Sequence, residues 1–141
     1  MEDCIFCRII AGQAPAEIIY QDEMTLAFLD RNPAGQGHTL VVPRAHVPNI
    51  YALDDTVAAS LMQATVRVAR LLKGALRPEG MTLAQSNERA GFQSVFHLHI
   101  HVIPRWVGDG IRLPWIPRPG DPVALEALAA GIRKFARQGQ E

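Results

Sequence analysis

The chain has 141 residues, which is the size of one domain. Apolar types make up 48% of the residues, and 14 Lys and Arg side chains balance 14 Asp and Glu side chains. A chain without net charge builds no broad positive field, which argues against long nucleic acid as a partner. No apolar stretch approaches the ~20 residues that span a bilayer, and the acidic start lacks the features of a signal peptide. We therefore expect a cytoplasmic protein that does not bind membranes.

The hydrophobic pattern predicts an α+β domain with five strands and two main helices. Apolar residues at helical spacing mark the longer central helix, and strands that follow one another directly favour an antiparallel sheet. The stretch 106–120 is rich in Pro and Gly and is predicted to be irregular. In chain order we expect a short helix over 5–11, strands over 17–21, 24–30 and 38–44, a helix over 54–76, strands over 81–86 and 95–103, and a helix that begins at Asp121 and Pro122.

Three histidines alternate with apolar residues within the last predicted strand. Side chains of a strand alternate between its faces, so His97, His99 and His101 are expected to share one face. Surface solubility is one explanation for such a row. A single metal ion bound by all three is disfavoured, because His97 and His101 would lie roughly 13 Å apart along a strand. We therefore expect the row to serve more than one task, such as nucleophilic attack and hydrogen bonding to a phosphate.

A loop of small and polar residues, 87–94, precedes this strand. Gly91, Gln93 and Ser94 can offer backbone N–H groups and a hydroxyl to an anion. Next to the histidine row, the loop is predicted to form a phosphate cradle.

A C-x-x-C motif at Cys4 and Cys7 stands near the N-terminus, with no second such motif in the chain. A Cys₂His₂ metal site would need two histidines, for which His46 and His97 are the candidates. The alternatives are buried apolar cysteines or a redox pair, and a redox pair of the thioredoxin type needs a preceding strand for which there is no room.

Four segments together resemble the histidine-triad (HIT) superfamily, and within it the zinc-containing bacterial relatives of the Hint branch. The signature in the last segment is the most specific, and residues 106–141 match only loosely. The segments are CIFCRIIAG at 4–12, FLDRNP at 28–33, GHTLVVPRAH at 37–46 and QSVFHLHIHVIPR at 93–105.

The resemblance implies a role for each residue that matches the family's motifs. His99 would be the nucleophile, with its other ring nitrogen held by the main chain near His97 and with His38 supporting its orientation and charge. Asp30 and the backbone at Arg31 would bind the ribose. His101, Asn87, Gln93 and Ser94 would bind the reacting phosphate; Phe6, Ile10 and Phe28 would line the base pocket; and Cys4, Cys7, His46 and His97 match the zinc ligands of the bacterial subgroup.

The resemblance also implies one HIT domain over 1–141, in which 106–141 form a C-terminal loop and helix, and a homodimer whose two sheets join. The implied activity is hydrolysis at the α-phosphate of purine nucleoside phosphoramidates, acyl-adenylates or dinucleoside polyphosphates, through a nucleotidyl-histidine. No organic cofactor and no catalytic metal are implied beside the structural zinc. The alternatives are a nucleotidyl transferase or phosphorylase, and a non-enzymatic, zinc-stabilised nucleotide-binding adaptor.

Phe92 departs from the family pattern. It stands directly before Gln93, where the family usually carries Gly. An aromatic ring there is predicted to narrow the phosphate loop or to cover the pocket, which would restrict bulky leaving groups.

Overall fold

The computed structural model describes residues 3–112 and 115–139. The chain divides into two compact units, Met1–Ile111 and Arg112–Glu141. The first contains the sheet and every residue predicted for the site, and the second contains the last helix. The prediction of a single domain over 1–141 stays a prediction.

Five strands form one antiparallel sheet in the order β1-β2-β3-β5-β4. This sheet, with the two main helices α2 and α3, confirms the predicted fold class. The strands are β1 Ile18–Gln21, β2 Thr25–Leu29, β3 Thr39–Pro43, β4 Gly80–Ala84 and β5 Ile100–Arg105; the helices are α1 Ile5–Ile10, α2 Asp55–Leu76 and α3 Pro122–Gly139; and short 3₁₀ turns occupy Ile50–Ala52 and Arg89–Gly91.

Helix α2 covers one face of the sheet. It begins after Asp54, whose carboxylate accepts a hydrogen bond from the N–H of Val57 at 2.8 Å, and it ends at Arg77 in the left-handed conformation before Pro78. Its apolar face packs against alternate residues of the central strands, including Ala27 and Val41.

Helix α1 covers the opposite face of the sheet. Phe6 and Ile9 pack there with the side chains that alternate with the first set, namely Leu26, Phe28, Leu40 and Val42. Leu40 pairs directly with His101 on β5, which places the His101 side chain on this α1 face. The site described below is built on this face.

Strand β5 begins later than the pattern predicts. The expected range was 95–103, whereas the ladder with β3 starts at Ile100. Before it, the N–H of Leu98 donates to the carbonyl of Val47 at 2.7 Å rather than to a strand partner. His97 and His99 therefore precede the strand and are held by loop contacts.

Helix α3 forms most of the second unit. Asp121 caps its first turn, accepting from the N–H of Ala124 at 3.0 Å, as the Asp-Pro pair predicts. Its apolar stripe is exposed at Leu125, Leu128, Ile132 and Phe135. Within residues 3–112 and 115–139, no helix combines the length and apolarity needed to cross a membrane.

Candidate functional site

Two cysteines and two histidines come together between α1 and the loops that follow β3 and precede β5. Cys4 Sγ lies 3.4 Å from His97 Nδ1, and Cys7 Sγ lies 3.3 Å from His46 Nδ1 and 3.5 Å from His97 Nδ1. All four ligand atoms lie within 4.8 Å of one another. Zn–S bonds of about 2.3 Å and Zn–N bonds of about 2.0–2.1 Å at tetrahedral angles place sulfur and nitrogen about 3.5 Å apart. These four residues, which we call the metal-type cluster, thus fit a zinc ion.

The second ring nitrogen of His97 supports the same assignment. His97 is fully buried, and its Nε2–H donates to the carbonyl of Pro43 at 2.8 Å. A histidine that binds a metal typically donates its other N–H to a carbonyl or carboxylate, which fixes the ring and its tautomer. His97 Nδ1 therefore carries no proton, and its lone pair faces the sulfur atoms of Cys4 and Cys7.

His99 lies beside this cluster and is held by it. Its Nδ1 lies 2.7 Å from the carbonyl oxygen of His97, an acceptor, so Nδ1 carries the proton and Nε2 carries the lone pair. Phe6 packs edge-on against the imidazole at 5.2 Å between ring centroids. The main-chain support implied by the resemblance is present, and it comes from the backbone of a residue in the metal-type cluster.

His38 contacts His101 rather than His99. His38 Nε2 lies 2.9 Å from His101 Nδ1 and 3.5 Å from Asp30 Oδ2, and His38 Nδ1 accepts a hydrogen bond from the N–H of Ala34 at 2.9 Å. The His99 and His101 rings meet at 4.9 Å between centroids. The three histidines thus form a row in which His101 is the middle member.

Burial favours the neutral form of these rings. It lowers the pKa of His38, His97 and His99 below the usual value. Burial, together with the positive charges that His99 and His38 would carry, lowers the pKa of His101 to about 4. A neutral His99 offers its Nε2 lone pair as a nucleophile at neutral pH.

This shift predicts a loss of stability in acid. The unfolded chain takes up protons at His101 near pH 6.5, whereas the folded chain does so only near pH 4, so protonation in that window favours unfolding. We expect this contribution to the free energy of unfolding to be complete above about pH 7 and to decline from about pH 6.5 towards pH 4. Urea unfolding at several pH values measures the decline, and His101→Asn should make it shallower. Equal slopes in the two proteins would contradict the assignment.

Gln93 holds together the loop of residues 87–94, the predicted phosphate loop, by hydrogen bonds within it. Its side chain is buried; Oε1 accepts from the N–H of Glu88 at 2.7 Å, and Nε2 donates to the carbonyls of Pro48 at 2.6 Å and Val95 at 3.0 Å. Asn87 is engaged similarly, exchanging hydrogen bonds with its neighbour Gln85. The predicted contacts of these two amides with phosphate stay a prediction, since the structure uses both to shape the loop.

Ser94 lines a cavity of about 500 Å³ together with Cys4 and His46. The cavity therefore links the end of the phosphate loop to the metal-type cluster. The predicted contact of Ser94 with phosphate stays a prediction.

The backbone conformation at Phe92 explains why glycine suits this position. The residue is left-handed, with φ +72°, and it is 78% exposed. Glu88, at φ +64° and ψ 169°, occupies a region that glycine strongly favours. The loop therefore carries backbone strain at two positions.

Phe92→Gly should relieve part of this strain and stabilise the fold by about 1 kcal/mol. With the nucleotide substrates that the resemblance implies, removal of the ring should also improve turnover of those with large leaving groups relative to those with small ones. Phe92→Ala is the matched control, because it removes the ring and keeps Cβ. Only the glycine variant should gain stability, and both should share the change in selectivity. Equal effects on large and small substrates would mean that the ring points away from the site.

A second cavity, of about 390 Å³, lies between α1 and the end of β2. Phe28, Asp30 and Arg31 line it. Their predicted contacts with the base and the ribose stay a prediction. Asp30 Oδ1 accepts from the N–H of Asn32 at 2.9 Å, so the carboxylate shapes this turn as well as facing His38.

The lining of this cavity differs in part from the predicted set. Phe6 is buried beneath the site against Phe28, and Ile10 packs in the core on the α1 face. Ile5 and Ile9 line the cavity instead. Phe6 and Ile10 have the same i, i+4 spacing on α1, so the spacing does not show which pair lines the cavity.

The HIT domain family model matches residues 11–107. The Bacillus subtilis relative named "Protein hit" is 42% identical over 94% of each chain. The Schizosaccharomyces pombe relative named "Adenosine 5′-monophosphoramidase hnt1" is 33% identical over 92% of this chain and 95% of its own.

Solved structures agree with this relationship. A HIT family protein from Bacillus subtilis superposes with a TM-score of 0.87 at 38% identity, covering 94% of this chain and 96% of its own. A structure described as a Zn-bound histidine triad family protein from Mycobacterium smegmatis has a TM-score of 0.75 at 37% identity, covering 83% and 85%. With its domain match, its relatives and its fold in agreement, the chain belongs to the HIT family.

Proposed function

We propose that the protein is a nucleotide hydrolase that cleaves at the α-phosphate of purine nucleoside phosphoramidates, acyl-adenylates or dinucleoside polyphosphates. One observation carries the proposal: the hydrogen bond from His99 Nδ1 to the His97 carbonyl leaves the Nε2 lone pair as the reactive atom. The ring lies next to His101 and on the same face as the proposed nucleotide pocket. The name of the Schizosaccharomyces pombe relative, a monophosphoramidase, supports this substrate class.

The proposed reaction has two displacements at phosphorus. The Nε2 lone pair of His99 forms a bond to the α-phosphorus while the bond to the leaving group breaks, and the leaving group departs with its electron pair and takes up a proton from solvent. A water oxygen then attacks the same phosphorus, the P–N bond breaks and its electrons return to Nε2. The products are a nucleoside monophosphate and neutral His99, and the proton of the water is released.

The other residues bind and orient the substrate in this proposal. His101 donates a hydrogen bond to the reacting phosphate, and the loop that Gln93 braces, with Ser94, encloses it. Asp30 and the backbone at Arg31 bind the ribose. The base lies in the cavity lined by Phe28, Ile5 and Ile9.

We infer that zinc occupies the Cys4, Cys7, His46 and His97 cluster. The distances between ligand atoms, the Nε2–H bond of His97 to Pro43 and the Zn-bound relative from Mycobacterium smegmatis support it. The ion would hold the loop whose carbonyl orients His99, which is a structural contribution rather than a chemical one.

Release of nucleoside monophosphate tests the proposed function. Purified protein is incubated with adenosine 5′-phosphoramidate, an acyl-adenylate and a dinucleoside polyphosphate, and AMP is quantified by chromatography with and without inorganic phosphate. AMP as product supports the hydrolase. ADP formed only with phosphate would identify a phosphorylase, and calorimetric binding without turnover of any substrate would identify the adaptor.

We also propose a homodimer in which two sheets join. Strand β4 forms one edge of the sheet, and Leu83 on this strand is 46% exposed. Met62 on α2 is exposed to a similar extent. An exposed strand edge with apolar side chains favours pairing with a second chain.

Light scattering at micromolar concentration should therefore give about twice the 15.5 kDa of one chain. Leu83→Asp should shift the mass to the monomer. Ile18→Asp, at the opposite sheet edge and equally exposed, should leave the dimer intact. A monomer mass for the unmodified protein would contradict the proposal.

A further inference from the structure

Asp30, His38 and His101 bring three ligand-type atoms within 4.8 Å of one another, beside the proposed site of phosphate chemistry. Two imidazoles and a carboxylate are a donor set that zinc accepts. The positions of the protons, however, distinguish this group from the Cys4 cluster.

The backbone N–H of Ala34 determines where the proton of His38 resides. A backbone N–H can only donate, so His38 Nδ1, at 2.9 Å from Ala34 N, must be the unprotonated nitrogen. The neutral ring then carries its proton on Nε2. Two atoms face His38 Nε2, namely His101 Nδ1 at 2.9 Å and Asp30 Oδ2 at 3.5 Å. The Asp30 carboxylate can only accept, so it independently requires a proton on His38 Nε2.

The same reasoning fixes the proton of His101. Because His38 Nε2–H donates to it, His101 Nδ1 is an acceptor, and its proton resides on Nε2. We propose that the Ala34 amide, acting through His38, holds His101 as a neutral ring whose Nε2–H is a permanent hydrogen-bond donor to the reacting phosphate. His38 and Ala34 are positioning residues in this arrangement. The role of phosphate as the acceptor rests on the function proposed above.

Metal binding at this group would require the opposite tautomer. His38 would have to present its Nε2 lone pair to the ion and carry its proton on Nδ1, facing the N–H of Ala34. His97 shows the favourable arrangement, since its second nitrogen donates to the Pro43 carbonyl. The group is therefore a hydrogen-bond chain and not a second metal site.

The chain also sets what His101 can do in the reaction. With Nδ1 occupied as an acceptor, His101 meets the phosphate with an oriented N–H and needs no rearrangement when charge develops on the oxygens. Protonating the leaving group is not its task in the resting tautomer, so substrates with good leaving groups should depend on it as much as those with poor ones.

Nitrogen-15 NMR of the histidine side chains tests the proposal directly, since it reports which ring nitrogen carries the proton. At neutral pH the unmodified protein should show His38 and His101 both protonated at Nε2. His38→Gln keeps an N–H₂ donor near the position of Nε2 and should preserve the His101 tautomer. His38→Leu removes the donor, and His101 should then populate both tautomers. Thermal melting and circular dichroism establish that each variant is folded.

AMP release from the same variants gives the second readout. Complete loss of a donor to a developing charge lowers kcat by about 100-fold. His38→Leu leaves part of the His101 rings in the donating tautomer, so its kcat should fall by less than that factor, and that of His38→Gln should fall less again. A His101 ring protonated at Nδ1 in the unmodified protein, or equal losses in the two variants, would overturn the proposal. The proposal would also be overturned if zinc, added after the Cys4 cluster is filled, shifted the His38 and His101 resonances at the first further equivalent. Absence of turnover with the expected tautomers would contradict the proposed function and leave the tautomer assignment standing.

Discussion

Replacing His99 by alanine is expected to reduce turnover of an adenosine phosphoramidate by several orders of magnitude, because the covalent route itself is removed. The ring is buried, and its Nε2, which carries one oriented lone pair, is the atom that we propose attacks phosphorus. Initial rates of AMP release measure the effect, with thermal melting to confirm that the variant is folded.

His101→Ala is the matched comparison for this prediction. It removes a hydrogen bond to the phosphate and leaves the nucleophile in place, so its loss should be smaller, about 100-fold. Near-normal turnover by the His99 variant, or a larger loss at His101 than at His99, would mean that another group attacks phosphorus.

Cys7→Ser is expected to lower the free energy of unfolding by several kcal/mol, because a metal that binds only the folded site adds its binding free energy to folding. Cys7 Sγ lies against the Nδ1 atoms of both histidines in the cluster, so its loss removes a ligand that contacts both of them. Urea unfolding measures the stability, and metal analysis should give one zinc per chain.

A chelator separates metal loss from a simple packing defect. It should destabilise the unmodified protein to the level of Cys7→Ser and leave Cys7→Ser unchanged. Chelation should also loosen the loop around His97, visible as faster amide exchange there. Protein purified without chelator that contains less than a tenth of an equivalent of zinc would rule out the zinc assignment.

The periodicity of α2 and the short strands allowed the sheet, its antiparallel pairing and the long helix to be predicted. Alternation of apolar and polar residues is a local property, and it decides which strand face is buried. It could not show where β5 begins, because residues 95–99 leave the sheet to satisfy the bond from Leu98 N–H to Val47, about fifty residues away in sequence.

The metal-type cluster was predictable in composition, since Cys4 and Cys7 needed two histidines. Its supporting contact was not, because nothing in the sequence indicates that the Pro43 carbonyl accepts from His97. Backbone acceptors carry no residue-type signal, and the same holds for the Ala34 N–H that fixes His38.

The roles of polar side chains in the phosphate loop were the hardest to predict. Gln93 has the residue type of a phosphate ligand, yet its amide is consumed by three contacts within the protein. A sequence shows which groups can form hydrogen bonds but does not show which of them the fold has already satisfied.

Acid-quenched mass spectrometry during turnover tests the central claim most directly. With an adenosine phosphoramidate as substrate, we expect an adenylyl adduct on the peptide that contains His99, which forms and decays at rates compatible with turnover. A substrate with chiral phosphorothioate at the α-position should give net retention of configuration, because two displacements each invert phosphorus. Net inversion, with no adduct on His99, would show that water attacks the substrate directly and would contradict the account.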